Sequence, residues 1–293
     1  MLALFTALLT PFTSGGEVDL SAIPPHVRWL EEHGVHGIVP CGTTGEGPSL
    51  SFAERQAVID TVLQHRGKLR VIAGTGCVAL PETIALTRYA LENGAEAALV
   101  IPPFFFKNLS DAGLLASYRQ LCETLPQSGQ LVLYHIPPIS QISISTGVID
   151  GLLESHPQHI YGIKDSSGDA THTAMLIQRY PQLHIFDGAA SVFAQTLQDG
   201  AAGGIFALAN IFPEAMADII SAHANGISTD AVQMRVVAIE RAFQPYVPIE
   251  ALKALFPRIT DLPSMSVRTP LVNLTEYESA ALWERVRSIV GTP

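Results

Sequence analysis

Residues 131–168 form one repeating unit of this sequence and read LVLYHIPPISQISISTGVIDGLLESHPQHIYGIKDSSG. An apolar run, Leu131–Ile136, is followed by two prolines, a helix-length amphipathic stretch and a second apolar run, Tyr161–Lys164. Runs that are continuously apolar rather than alternating are typical of parallel strands that helices cover. The segment therefore predicts a strand, a helix and a second strand parallel to the first.

The same unit recurs along the chain. Six further apolar runs have the same punctuation, namely Leu2–Leu9, Gly37–Pro40, Leu69–Ala73, Ala97–Ile101, His184–Phe186 and Gly204–Leu208. Eight strands in about 220 residues fit a closed barrel better than an open doubly wound sheet, which is the alternative. We predict an α/β fold, a (β/α)₈ TIM barrel over residues 1–227. A C-terminal helical region over residues 228–293 follows, with helical periodicity in Ala231–Phe243 and Glu276–Val290.

Helix boundaries are marked by recognisable residues. Ser51–Glu54 has the capping-box pattern, and Pro81 suits the first turn of a helix, where its missing N–H costs nothing. Four glycines stand where left-handed C-caps are expected, namely Gly34, Gly67, Gly94 and Gly200.

Composition restricts the partners and the compartment. Hydrophobic residues make up 47% of the 293 residues and the net charge is −10 without a basic run, so a nucleic-acid or membrane partner is not expected. Three cysteines and no CxxC pair predict reduced thiols in a cytoplasmic protein. The apolar start Met1–Phe12 has no basic residue and no obvious cleavage site, so we interpret it as a buried strand rather than a signal peptide.

Lys164 is the residue that best indicates chemistry. It ends the predicted sixth strand, and strand periodicity places Gly162, Lys164 and Ser166 on one face. Active sites of this barrel type lie at the C-terminal ends of the strands. A lysine directed into an apolar barrel is desolvated, which favours the neutral amine that attacks a ketone. A structural ion pair with the adjacent Asp165 is the alternative.

Two further segments lie at the ends of other predicted strands. Tyr134 ends the fifth strand, where its phenol could move protons near Lys164, or could be a rim tyrosine with a satisfied hydroxyl. Cys41–Pro48 reads CGTTGEGP, and its glycines and threonines offer N–H and hydroxyl donors that suit a carboxylate. This loop is neither a dinucleotide fingerprint nor a Walker A loop.

Histidines give weaker signals. His33 and His36 stand near Cys41, and His156 and His159 precede the sixth strand, towards the opposite face of the barrel from the chemistry. We predict that neither group is a metal site.

Taken in order, these motifs resemble the dihydrodipicolinate synthase / N-acetylneuraminate lyase family of pyruvate-dependent class I aldolases. The resemblance extends from about Leu4 to Val290. The motifs are Leu9–Phe12, Gly42–Glu46, Ala73–Gly76, Tyr134–Pro137, Gly162–Asp165, Gly204–Asn210, Pro248–Lys253 and Arg268–Leu271.

The resemblance implies a role for each residue at the reaction centre. Lys164 would form a Schiff base with the keto carbon of pyruvate, and Tyr134 would transfer protons near the substrate carboxylate. Thr43 and Thr44 would bind that carboxylate, and one of them, Thr44 in our catalytic assignment, would connect to Tyr134.

The resemblance also implies the rest of the pocket and the assembly. Gly188 and Ile205 would line the pyruvate pocket through main-chain contacts. No metal and no organic cofactor would be needed, because the substrate is held as a covalent imine. A homotetramer built from dimers, or a homodimer, is expected.

The sequence departs from its relatives at the specificity end. Ile139 replaces an arginine of the synthases, Pro103–Phe106 lacks their tyrosine hydroxyl, and Ala189–Ser191 lacks the acidic pair of the sialic-acid lyases. The residues predicted to set specificity are Phe105, Phe106, Ile139, Ala189, Ala190 and Ala207. These apolar side chains predict a small or partly apolar aldehyde partner.

The leading hypothesis is a lyase that forms or cleaves a carbon–carbon bond between pyruvate and an aldehyde, with a 2-keto-3-deoxy acid aldolase as one form of it. Three alternatives stay open. They are a 4-hydroxy-tetrahydrodipicolinate synthase, a Schiff-base dehydratase of a 3-deoxy-2-oxo acid, and a catalytically silent relative that binds a 2-oxo acid.

Overall fold

Eight parallel strands close into a barrel in the computed structural model, which describes residues 2–291. The strands are β1 Ala3–Ala7, β2 Gly37–Val39, β3 Arg70–Gly74, β4 Ala97–Val100, β5 Leu131–His135, β6 Ile160–Asp165, β7 His184–Asp187 and β8 Gly203–Phe206. Each strand pairs with its neighbours in chain order, and β1 closes the ring against β8. The predicted (β/α)₈ barrel is confirmed and the open sheet is wrong.

Helices alternate with the strands and then continue beyond them. They are α1 Ile23–Glu32, α2 Phe52–His65, α3 Leu80–Glu92, α4 Asp111–Cys122, α5 Pro137–Ser140, α6 Thr146–Ser155, α7 Ala170–Arg179, α8 Phe193–Asp199, α9 Pro213–Ala224, α10 Asp230–Ala242, α11 Pro248–Ile259 and α12 Glu276–Val290. Within residues 2–291, none of them is long and apolar enough to cross a membrane.

The predicted helix boundaries are present. Ser51 and Glu54 form a reciprocal capping box at the start of α2, and Pro81 lies in the first turn of α3. All four predicted C-terminal glycines have positive φ, where a side chain would strain the backbone: Gly34, Gly67, Gly94 and Gly200. Local sequence therefore marks the starts of α2 and α3 and the ends of the four helices that these glycines follow.

Two apolar layers enclose the strands. The barrel interior is filled by side chains that include Phe5, Val39, Ile72, Leu99 and Phe186. A larger layer lies between the strands and the helices and extends under the C-terminal helices. Burial on both faces explains why the strand sequences are continuously apolar.

The C-terminal helices pack on one side of the barrel. α10 contacts α8 and α9, while α12 contacts α10 and α11. The predicted division at residues 227 and 228 falls between α9 and α10, and residues 1, 292 and 293 at the outer ends of the two predicted regions lie outside the described residues.

Candidate active site

Lys164 lies near the C-terminal end of β6 and is directed into the barrel. The β5–β6 pairing shifts register near Leu131, which inserts one extra residue at Tyr161 and leaves Gly162 and Lys164 on the inner face. The side chain is buried, with 5% of the residue exposed, and Nζ lies 4.4 Å from the centroid of the Tyr134 ring. In the part of the chain that the structure describes, no carboxylate oxygen is within ion-pair distance of this amine.

Asp165 faces the opposite way, towards α7. Its carboxylate accepts hydrogen bonds from His172 Nδ1 and Thr173 Oγ1, both at 2.8 Å, and from the Ser167 N–H at 3.0 Å. Burial alone would raise the pKa of Asp165, but these hydrogen bonds outweigh it and the pKa is lowered. The carboxylate is thus hydrogen-bonded to α7, and the alternative of an ion pair between Lys164 and Asp165 is wrong.

Tyr134 joins Lys164 to the loop after β2. Tyr134 and Lys164 are directly paired across β5 and β6, and the buried Tyr134 hydroxyl lies 3.3 Å from Thr43 Oγ1. Thr44, to which we assigned the catalytic contact, is buried in the same loop, but the hydroxyl that reaches Tyr134 belongs to Thr43. A hydrogen-bonded phenol beside the amine suits proton transfer at a carbon attached to the lysine.

The loop between β2 and the Gly47–Ser49 turn is tightly folded. Cys41 and Glu46, neither of them glycine, adopt left-handed backbone conformations with φ of 58° and 52°. A Cβ at Gly47 would lie 2.3 Å from the Cys41 carbonyl oxygen, so no larger residue fits there. The close packing presents Thr43 and Thr44 at the tip of the loop.

Gly188 and Ser166 define the other side of the amine. A Cβ at Gly188 would lie 1.9 Å from Ser166 Oγ and 2.9 Å from Lys164 Cε, so the absence of a side chain makes room for the lysine. The Ser166 hydroxyl is buried and has no hydrogen-bond partner among residues 2–291. Ile205, on β8, contributes to the barrel interior. Ser166 was predicted to share a face with Lys164, but its unpartnered hydroxyl was not foreseen.

A cavity of about 110 Å³ opens beside Tyr134. Its walls are mainly apolar and include Thr43, Leu99, Ile101, Phe104 and Ile139. Lys164 does not line this cavity, so Tyr134 is the side chain shared by the cavity and the amine. An apolar space next to the reacting groups can hold carbon chain but few hydroxyls.

The predicted specificity residues are spread over different surroundings. Ile139 lines the cavity, while Phe105 and Phe106 are 68% and 71% exposed. Phe104, which was not singled out, forms the cavity wall instead, because the loop after β4 turns the next two rings outward.

The three alanines lie elsewhere. Ala190 and Ala207 pack against the core between strands and helices, and the Ala189 N–H donates to Asp187 Oδ1 at 2.7 Å. Their side chains are absent from the cavity wall, since the chain turns away from the barrel axis after β7 and β8.

Three side chains could be considered as metal ligands. Candidate ligand atoms of His135, Asp165 and His172 lie within 4.8 Å of one another. However, the two rings are stacked, His135 Nδ1 accepts from the Ile144 N–H, and both Asp165 oxygens accept protein hydrogen bonds. The three side chains therefore fit a hydrogen-bonded cluster that supports β6 behind Lys164 better than an ion site. Of the histidines considered from sequence, His33 stacks on Trp29 and His159 Nδ1 contacts the Gly129 carbonyl. His156 Nδ1, by contrast, is buried without a hydrogen-bond partner among residues 2–291.

Two acidic side chains lie behind β7, with Asp187 buried and Glu240 half-buried. Burial raises the pKa of Asp187 to about 6 although Thr196 and the Ala189 N–H donate to it. Burial likewise raises the pKa of Glu240, on α10, to about 7, and the charge of Asp187 adds to this effect. No sequence motif indicated this pair, because α10 and β7 are far apart in the chain.

Comparisons with known proteins agree with this geometry. The model of the dihydrodipicolinate synthetase family matches residues 1–289. A Chloroflexus aurantiacus protein described as an uncharacterized DapA-like lyase is 45% identical over 287 residues, covering 97% of this chain and 96% of that protein. The 4-hydroxy-tetrahydrodipicolinate synthase of Methanosarcina mazei is 31% identical, with 97% and 96% coverage. The crystal structure of KD(P)GA from T. tenax has a TM-score of 0.90 at 26% identity and covers 98% of this chain and 99% of its own.

Proposed function

This chain belongs to the dihydrodipicolinate synthetase family and is a class I lyase that acts through a lysine Schiff base, and we propose that it is a 2-keto-3-deoxy acid aldolase. In this proposal it cleaves such an acid into pyruvate and a small aldehyde, or joins the two. The observation that carries the proposal is the buried Lys164 amine, which has Tyr134 over it and the cavity beside Tyr134. The similarity to KD(P)GA from T. tenax supports the substrate class.

Lys164 is the proposed nucleophile. Its neutral amine attacks the C2 ketone, and the resulting carbinolamine loses water to give an imine. Removal of the proton from the C4 hydroxyl then breaks the C3–C4 bond, which releases the aldehyde and leaves an enamine. Protonation at C3 and addition of water to the imine release pyruvate and regenerate the amine.

Tyr134 is the proposed proton carrier. Its hydroxyl contacts Thr43 Oγ1, so a proton can pass between the phenol and the loop that we propose binds the carboxylate. Thr43 and Thr44 would hold that carboxylate through N–H and hydroxyl donors, while Gly188 and Ile205 would flank the pyruvate carbons.

Ser166 is the proposed partner for a substrate hydroxyl. Its buried Oγ lacks a protein partner and lies next to the Lys164 side chain. A substrate oxygen at this position would satisfy a hydroxyl that otherwise costs free energy to bury. One polar contact beside an apolar cavity suits a short hydroxylated chain better than a long polyol.

The proposal also covers the cofactor, the oligomeric state and the cellular compartment. The imine withdraws electrons from the breaking bond, so the proposed reaction requires no metal and no organic cofactor. We propose a cytoplasmic homotetramer or homodimer, in which a second copy would cover the exposed Phe105 and Phe106 rings.

Borohydride trapping tests the Schiff base. Pyruvate plus borohydride should add one reduced pyruvyl group, located by peptide mass measurement on the peptide that contains Lys164. Lys164→Ala should lose the adduct, while Lys68→Ala, at an exposed lysine, should keep it. Unmodified wild-type protein, under conditions that label a known Schiff-base aldolase, would refute the mechanism.

Product analysis tests the reaction class. An aldolase given a 2-keto-3-deoxy acid releases pyruvate, a dehydratase releases water and keeps the carbon chain intact, and a 4-hydroxy-tetrahydrodipicolinate synthase consumes pyruvate with aspartate semialdehyde. Pyruvate release that disappears in Lys164→Ala supports the proposal. Turnover only with aspartate semialdehyde would replace it by the synthase.

A further inference from the structure

Glu46 ends the loop that carries Thr43 and Thr44, and its carboxylate is buried. The residue is 3% exposed and its backbone is left-handed, with φ of 52°. This conformation is uncommon for a residue with a side chain, so something must hold it. The Glu46 N–H donates to the Thr43 carbonyl at 3.0 Å, which links the backbone of Glu46 directly to the tip of the loop.

The partner of Glu46 comes from the C-terminal helical region. Lys253, on α11, is also 3% exposed, and its Nζ lies 2.5 Å from Glu46 Oε1. The same amine donates to the carbonyls of Thr10, at 2.6 Å, and Ser266, at 2.8 Å. Its three N–H groups are therefore fully used, and 207 positions of sequence separate the two charges.

The second carboxylate oxygen of Glu46 is held as well. Glu46 Oε2 accepts the backbone N–H of Arg268 at 2.9 Å. The Arg268 guanidinium is paired with Glu54, so it does not compete with Lys253 for Glu46. Phe12, whose ring lies 4.5 Å from both the Lys253 amine and the Arg268 guanidinium carbon, separates the two cations. The two charges thus neutralise each other, and the amine and both carboxylate oxygens are hydrogen-bonded and shielded from water.

We propose that Lys253 is a positioning residue for the catalytic site: through Glu46, it fixes the direction in which Thr43 and Thr44 present their donors to the substrate carboxylate. This inference rests on the proposed function in one respect, namely that the loop binds the 2-oxo acid. The contact from α11 makes the C-terminal helical region part of the machinery that binds substrate. Lys253 and Glu46 themselves touch no reacting atom.

Three measurements on Lys253→Met test the proposal. Methionine keeps most of the apolar stem but removes the charge. The pyruvate concentration for half-maximal borohydride labelling of Lys164 should rise at least tenfold, while the labelling plateau stays unchanged. Hydrogen exchange in the peptide that spans residues 42–47 should become faster. KM for the 2-oxo acid should increase far more than kcat decreases, a split that general destabilisation would not produce.

The controls separate positioning from folding. Arg258→Met removes an exposed ion pair with Glu276 from the same helix and should leave all three measurements unchanged. If Lys253→Met does not fold, Glu46→Gln replaces it, because the amide keeps the shape and one acceptor oxygen but removes the charge and exchanges the other acceptor for a donor. Lys253→Arg, which restores a cation, should recover part of the loop protection.

The outcomes are distinct. Faster loop exchange together with weaker pyruvate saturation supports the proposal, and a folded variant in which either one is unchanged overturns it. If wild-type protein is not labelled at any pyruvate concentration, the proposed function fails. Loop exchange then decides the positioning role alone, and unchanged exchange still refutes it.

Discussion

Adding a single methyl group at Gly188 should disable the site. A Cβ there would meet Ser166 Oγ at 1.9 Å, Lys164 Cε at 2.9 Å and the Asp165 carbonyl oxygen at 3.1 Å. The serine hydroxyl can rotate away, but the lysine stem and the backbone of β6 cannot both keep their places. We expect Gly188→Ala to displace the amine by about 0.5–1 Å, because ordinary carbon contacts need roughly 3.5 Å.

The displacement should lower two measurable quantities, the free energy of unfolding and the turnover. Overpacking of this kind lowers the free energy of unfolding by about 1–3 kcal/mol. A nucleophile misplaced by about 1 Å loses roughly 100-fold in turnover, because the near-attack geometry is lost. Urea unfolding measures the first quantity, and the rate of pyruvate release from a 2-keto-3-deoxy acid measures the second.

A matched control and a rescue accompany this variant. Gly113→Ala adds the same methyl group within α4, where the nearest atom is 3.5 Å away, and should retain turnover and gain slight stability. Ser166→Ala combined with Gly188→Ala removes the shortest contact and should restore only part of the stability and none of the turnover, since the contacts with Lys164 and the Asp165 carbonyl remain. If Gly188→Ala kept the turnover and the free energy of unfolding of the wild-type protein, the predicted clash with Lys164 would be refuted.

Three further predictions concern Tyr134, Glu240 and Lys253. Tyr134→Phe should still label with pyruvate and borohydride but lose about 10²–10⁴-fold in turnover, and undiminished turnover would remove the phenol from proton transfer. Glu240→Gln should raise the free energy of unfolding at pH 8 by up to about 3 kcal/mol. The pKa of the wild-type Glu240 carboxyl is raised to about 7, so the folded state favours its protonated form. This preference stabilises the fold fully below the unfolded pKa, and the stabilisation is lost as the pH rises through 7. Between pH 4.5 and pH 8 the urea midpoint should therefore fall less steeply in the variant than in the wild-type protein. Parallel profiles would contradict the raised pKa of Glu240. Lys253→Met should lower the free energy of unfolding by about 3–5 kcal/mol, because the Glu46 charge is left buried without its partner. The double variant with Glu46→Gln should lose less than the two single losses added, and strict additivity would disprove the coupling.

The barrel and the direction of Lys164 could be predicted from local sequence. Continuous apolar strands, capped helices and glycine C-caps are properties of a few neighbouring residues, and each was present where expected. Alternation along a strand also placed Lys164 inward. It left an ion pair with the adjacent Asp165 open, and only the contacts of that carboxylate with α7 exclude it.

The details of the loops could not be predicted in this way. The left-handed conformations of Cys41 and Glu46 end the alternation after β2, so the choice of Thr43 over Thr44 as the contact of Tyr134 depends on the folded loop. Phe104 and Phe105 are adjacent and chemically identical, yet only Phe104 lines the cavity. A pattern of residue types contains no information about which ring turns inward.

Contacts between distant segments were also outside the reach of sequence periodicity. The Glu46–Lys253 pair needs α11 to pack beside the loop after β2, and the Asp187–Glu240 pair needs α10 to pack behind β7. Each polar group alone is compatible with a solvated surface. Only the packing of these distant segments shows that the charges and protons of each pair depend on one another.

The ends of β6 and β7 share a construction that explains how the barrel holds its reactive amine without pairing it. At each end an aspartate faces outward and accepts a hydroxyl from the following helix, Thr173 for Asp165 and Thr196 for Asp187. The residue next to each aspartate faces inward: Lys164 precedes the first and Gly188 follows the second. The Gly188 N–H also donates to the Asp165 carbonyl at 2.7 Å, which joins the two strand ends. The negative charges are therefore used behind the barrel wall. The amine in front of it lies over the Tyr134 ring and has no carboxylate within ion-pair distance among residues 2–291, surroundings in which it can attack a ketone.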